Sequence, residues 1–94
     1  MTMDVDVHHN QAASRFEARF DEGLAVAAYR LVGSEMQMTH TEVPPSLEGH
    51  GIAAQLVAAA LDHAEAQGWT VRPLCSYVRS YMQRNPDTLE LLAR

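Results

Sequence analysis

The small residues Gly49, Gly51 and Ala53 stand in the stretch Val43-Pro44-Pro45-Ser46-Leu47-Glu48-Gly49-His50-Gly51-Ile52-Ala53, between a proline stop and an apolar helical run. Such residues let backbone approach a ligand closely, and the first N–H groups of a helix have no intrahelical partners. That combination favours an anion, above all a phosphate or pyrophosphate, although a tight strand-to-helix turn that binds nothing uses the same residues. The better-known phosphate loops do not fit, because no Gly-Lys-Ser/Thr follows and the third glycine of the dinucleotide spacing is missing. Cys75 lies where a strand gives way to a helix, so the helix N-terminus can lower its thiol pKa; a small buried core residue is the other reading. His40 and Glu42 share one face of their strand and could relay a proton, or simply pair on the strand surface. Tyr77 and Tyr81 stand one turn apart on one face of a helix, Tyr77 reading as core packing and Tyr81 as either a ring packed on the sheet or a short-range proton donor. His8 and His9 have no ligand-spaced partner, His50 and His63 read as loop and helix-rim residues, and no metal site is expected. Arg79 and Arg84 read as solvated charges that could meet a phosphate.

These residues need elements to position them. Residues 5–43 alternate apolar and polar with period two, the pattern of strands with one solvated face. In Ser14–Phe20, Phe16, Ala18 and Phe20 face one way and Arg15, Glu17 and Arg19 the other. Leu24–Val32 is nearly all apolar and therefore central, Gly33-Ser34 makes a hairpin, and Glu35–Val43 is the third long strand. Val5–Val7 is a weaker strand or an ordered tail, followed by the polar His8-His9-Asn10-Gln11. After Pro44-Pro45 the period becomes helical from Gly51 to Gln67: Ile52, Ala53, Leu56, Val57, Ala60, Leu61 and Ala64 form the apolar side, with Gln55, Asp62 and Glu65 opposite. Gly68 stops that helix, Trp69–Leu74 is a short strand, and Ser76–Asn85 is a second helix, with one last helical turn or two in Thr88–Ala93. The strand–helix–strand unit predicts a parallel pair with a right-handed crossover. The expected fold class is α+β: an antiparallel meander running into one βαβ unit with a mixed sheet and a closing C-terminal helix.

The 94 residues, 47% of them hydrophobic, provide one core, so residues 1–94 read as a single domain. All 7 basic residues are arginine and 12 are acidic, and a formal net charge of −5 argues against non-specific binding to nucleic acid or anionic membranes. One cysteine excludes an intrachain disulfide. Asp4 and Asp6 stand where a signal peptide needs positive charge, and no apolar run approaches the ~20 residues that span a bilayer. A soluble, cytoplasmic protein is expected.

The glycine stretch, here Glu48-Gly49-His50-Gly51-Ile52-Ala53, resembles the Arg/Gln-x-x-Gly-x-Gly/Ala signature of the GNAT superfamily of acyl-CoA-dependent N-acetyltransferases. Thr39-His40-Thr41-Glu42-Val43-Pro44-Pro45 and Pro73-Leu74-Cys75-Ser76-Tyr77-Val78, followed by Tyr81 and Asn85-Pro86, are similar to its minimal, stand-alone YjdJ-type branch. The resemblance runs in order from about residue 14 to about residue 87. It implies that the amides of Glu48, Gly49, His50, Gly51, Ile52 and Ala53 bind the CoA pyrophosphate, and that the strand ending at Val43 pairs with the pantetheine arm. It also implies that Cys75 lies beside the acetyl thioester or carries a transient acetyl group. Tyr81 would protonate the departing thiolate, and Glu42 or His40 would take the proton of the acceptor ammonium. Glu48 departs from the pattern, since a carboxylate does not help to hold an anion. The connection before the second long strand is also short, so the acceptor site is open or is completed by a second subunit. The function this implies is transfer of an acetyl group from acetyl-CoA to a primary amine by direct attack, in a monomer or homodimer and without a metal. The alternatives are a CoA-binding sensor or interaction domain without turnover, and a structural domain whose turn binds nothing.

Overall fold

A computed structural model describes residues 3–94 as a five-stranded sheet with two α-helices and two short 3₁₀ turns. The strands are β1 (His8–Asn10), β2 (Arg15–Phe20), β3 (Gly23–Val32), β4 (Glu35–Glu42) and β5 (Thr70–Pro73), in that spatial order. The first four pair antiparallel; β5 pairs parallel to β4, with Glu35 opposite Thr70 and Met38 opposite Pro73. Helix α1 (Ile52–Gln67) connects β4 to β5, as a parallel pair requires, and α2 (Ser76–Arg84) follows β5. The mixed α+β architecture read from the sequence is the one observed.

Alternation does what the pattern demands on β3, where Ala25, Ala27 and Tyr29 are buried. They meet Leu56, Val57, Ala60, Leu61 and Ala64 of α1 in a core that also takes Met36 and Met38 of β4, Val71 of β5, and Val78 and Met82 of α2. Gly68 closes α1 in the left-handed region, φ +73°, and its N–H reaches the carbonyls of Ala64 and Glu65. The C-terminal 3₁₀ segment Pro86–Leu91 returns the chain to β5: Leu92 bridges Val71, and the Ala93 N–H donates to the Val71 carbonyl at 2.8 Å.

Two expectations are corrected. The first strand is His8–Asn10, expected as a polar connection, because its polar residues find specific partners; of the two readings of Val5–Val7, the ordered tail is the one observed. His9 stacks on Phe16 with ring centroids 4.1 Å apart, and its Nε2 is hydrogen-bonded to the Tyr29 hydroxyl at 2.7 Å. Val5 and Val7 instead lie against the core as an extended segment. Secondly, Glu17 is not on a solvated face but only 8% exposed, since Arg15 donates to its carboxylate at 2.6 Å and Asn10 of β1 lies alongside. Those bonds, the Arg15 bond foremost, hold its pKa below the ordinary carboxylate value. His63 is half-buried on the rim of α1, as expected, and its ring meets His9 at 4.5 Å and Trp69 at 5.2 Å.

Burial, then the neighbouring His63 and His8, lowers the pKa of His9. The unfolded chain therefore binds a proton more readily than the native one, and stability falls as pH drops below the ordinary histidine value of about 6.5. The melting temperature should fall between pH 7 and pH 5. His9→Phe, which keeps the stacked ring, should flatten that slope; a slope unchanged in the variant would remove His9 as its cause.

Candidate active site

The pairing of β4 with β5 stops at Met38 and Pro73, and the reason is local. The N–H groups of Leu74 and Cys75 both donate to the Met38 carbonyl, each at 3.0 Å, after which the chain turns into α2 while β4 runs on to Glu42. The two strands separate there. Beyond the gap, Pro44 and Pro45 end β4 in a 3₁₀ turn, Pro45–Leu47. The chain then reaches α1 through Gly49 and Gly51, both left-handed at φ +86° and +76°. Nothing lies within 4 Å of where a Gly49 Cβ would stand, so backbone conformation, not crowding, favours glycine there. Gly51 is the N-cap of α1 and no side chain caps that end, which leaves the first-turn amides available to a ligand.

A cavity of about 470 Å³ opens between these parts. Its walls are Thr41, Glu42 and Val43 from the end of β4, Leu47, Glu48, Gly49 and Gly51 from the turn, Ile52 and Ala53 from α1, and Tyr77 from α2. Of the candidate cofactor-binding residues, Val43, Glu48, Gly49, Gly51, Ile52 and Ala53 thus lie together. His50 does not line the cavity; its carbonyl turns away to accept the Met3 N–H at 2.9 Å. Ala53, assigned with Ile52 to the core side of the helix, is half-buried and lines the cavity beside it.

Cys75 sits beside this cavity as the N-cap of α2, half-buried, with its Sγ 3.0 Å from Thr41 Oγ1. Burial opposes its ionisation, but the Thr41 hydroxyl and the backbone N–H groups of Val78 and Tyr77 outweigh that and hold the thiol below its usual pKa. His40 and Glu42 form an exposed pair at 3.1 Å, Glu42 being the one that lines the cavity. Tyr81 lies one turn beyond Tyr77, and its hydroxyl is held protonated by burial and then by Asp62. Arg79 is not directed at a ligand: its guanidinium donates to the carbonyls of Pro73 and Leu74, at 3.1 and 3.0 Å. Among the described residues no three His, Cys, Asp or Glu side chains converge on a point that could hold a metal ion, and no helix is long and apolar enough to cross a membrane.

Sequence reasoning passed over Thr41, Leu47 and Tyr77 as site residues. Tyr77 carried a signal, because it opens the helix that follows Cys75. Thr41 carried none, because its partner is 34 positions away and only the separation of β4 from β5 brings them together.

A sheet whose parallel pair parts beside a glycine-rich helix start is the build of an acyl-CoA-dependent transferase domain. The family model described as GCN5-related N-acetyl-transferase matches residues 15–91, and the chain belongs to that family. Its relatives include Protein NATD1 of Gallus gallus, 33% identical over 85 residues that cover 87% of this chain and 77% of that protein. Protein NATD1 of Homo sapiens is also 33% identical, over 87% of this chain and 75% of its own length. A GCN5-like protein from Staphylococcus aureus, solved by NMR, superposes with a TM-score of 0.75 over 98% of this chain and 91% of its own, at 22% identity, and so shares the fold. The general chemistry of the family is acetyl transfer from acetyl-CoA.

Proposed function

We propose that the protein binds acetyl-CoA in the cavity between β4, the glycine turn and α2, and transfers its acetyl group to a primary amine. The observation that carries this reading is the uncapped start of α1, entered through two left-handed glycines, at one end of a cavity that has a hydrogen-bonded thiol at its side. The amides of residues 48–53 would hold the pyrophosphate, and backbone near Val43 would hold the pantetheine arm and polarise the thioester carbonyl. The amine nitrogen attacks that carbonyl carbon; the C–N bond forms as the C–S bond breaks and the CoA thiolate leaves. Glu42, or His40 through Glu42, takes the ammonium proton before attack; Tyr81 gives its proton to the thiolate, and the second proton, which the nitrogen sheds as the amide forms, restores the Tyr81 phenol. Thr41 holds Cys75 at the side of the site, next to the acetyl group and not as its carrier.

Incubation with acetyl-CoA and a panel of primary amines, followed for free CoA thiol and for acetylated product, tests this directly. Amine-dependent release of CoA is expected. Tight CoA binding with no release above the amine-free rate for any acceptor would point instead to a sensor or interaction domain.

A further inference from the structure

Expected on the solvent side of its helix, Gln55 is instead half-buried beneath the segment that precedes β1. In that segment Met3, Val5 and Val7 pack on the core while Asp4 and Asp6 are exposed, the alternation of an extended strand without a strand partner. Its partner is a side chain. Gln55 Oε1 accepts the Val5 N–H at 3.1 Å, and Nε2 donates to the Met3 carbonyl, so the carboxamide bonds to alternate residues as a neighbouring peptide group would. The same Nε2 lies 3.3 Å from the Gly51 carbonyl, and the Met3 N–H donates to the His50 carbonyl at 2.9 Å.

Two consecutive carbonyls of the glycine turn are therefore anchored on the side of the extended segment. A peptide unit is planar and trans, so its C=O and N–H point in opposite directions. Anchoring the carbonyls of His50 and Gly51 fixes the directions of the Gly51 and Ile52 N–H groups, both belonging to residues that line the cavity. A turn with two left-handed glycines has more conformations to lose than one without them, and a ligand that must order it binds more weakly. We infer that Gln55 and the Met3–Val5 segment form a clip that holds the glycine turn ready for acetyl-CoA, which makes Gln55 a positioning residue; this rests on the cavity taking that substrate. Coupling is reciprocal, so an occupied turn must also tighten the segment.

Calorimetric titration with CoA, kinetics with acetyl-CoA, and amide hydrogen exchange test the clip on the full chain. Gln55→Met keeps helix propensity and size but loses the carboxamide bonds to Met3, Val5 and Gly51; Gln55→Glu keeps an acceptor for Val5 and loses both donated bonds. For each variant the Kd for CoA should rise about tenfold, roughly the free energy of one net hydrogen bond. KM for acetyl-CoA should rise by the same factor with kcat held. In the unsubstituted protein CoA should slow exchange at the Val5 amide, and in Gln55→Met it should not. Variants that fold and bind CoA within twofold of the parent would overturn the clip and leave the cofactor reading standing. A parent that does not bind CoA would remove both.

Discussion

Replacing Tyr81 with phenylalanine is expected to lower kcat by about 10²-fold or more, whereas Cys75→Ser should lower it by no more than about 10²-fold, the low end of what a positioned acid or base contributes. The asymmetry follows from what each group must do. A phenol that stays protonated can give its proton to a departing thiolate, and phenylalanine keeps the ring while removing that hydroxyl. Serine in place of Cys75 keeps the size and a hydrogen bond to Thr41, but its hydroxyl is a far weaker nucleophile near neutral pH. Direct transfer does not need that nucleophile. The measurement is kcat and KM from CoA release and acceptor acetylation, with intact mass after mixing with acetyl-CoA alone. An acetyl adduct on Cys75 that passes to amine at the turnover rate, with an inactive serine variant, would reverse the assignment and make the thiol the carrier.

The second large effect concerns binding. Acetyl-CoA at about 100 times its Kd should stabilise the native state by roughly 2.7 kcal/mol, a rise in melting temperature of about 10–20 °C for a domain of this size. Ala53→Glu should remove most of that rise while leaving the unliganded protein folded. Position 53 is in the first turn of α1, where a carboxylate complements the helix dipole, yet it faces the cavity, where the same charge opposes a pyrophosphate. Gly51→Val is a poorer choice, since a β-branched residue at φ +76° strains the turn whatever binds there. Glu48→Gln should act in the opposite direction and enlarge the shift, because it takes a carboxylate off the cavity wall. A shift retained in folded Ala53→Glu would place the ligand elsewhere.

What could be read from the sequence was whatever is encoded locally. Period-two alternation in residues 15–42 and the helical period from Ile52 to Gln67 sufficed for the meander and the crossover unit, because each face there is set by its own residues. The glycine turn was legible for the same reason. The features that escaped it are held from a distance. His8–Asn10 has little strand propensity and becomes a strand through Phe16 and Tyr29. Glu17 is covered from β1, Gln55 is claimed by Met3 and Val5, and Thr41 meets Cys75 only because the sheet opens between them. A partner so far along the chain leaves no periodic trace.

The return of Leu92 and Ala93 to Val71 bears on how copies of this molecule meet. An uncovered strand presents a ladder of unpaired amides and carbonyls onto which another chain can add, and that is how many small sheets aggregate. Here the β5 margin is occupied by the chain's own C-terminal residues, and the opposite margin, β1, is three residues long and entirely polar. Both margins are shortened in this way, although β1 covers Arg15–Glu17 of β2 and leaves Ala18–Phe20 beyond it. Removing residues 92–94 would strip that guard from β5 without touching the residues that line the cavity, so its loss would show first as self-association.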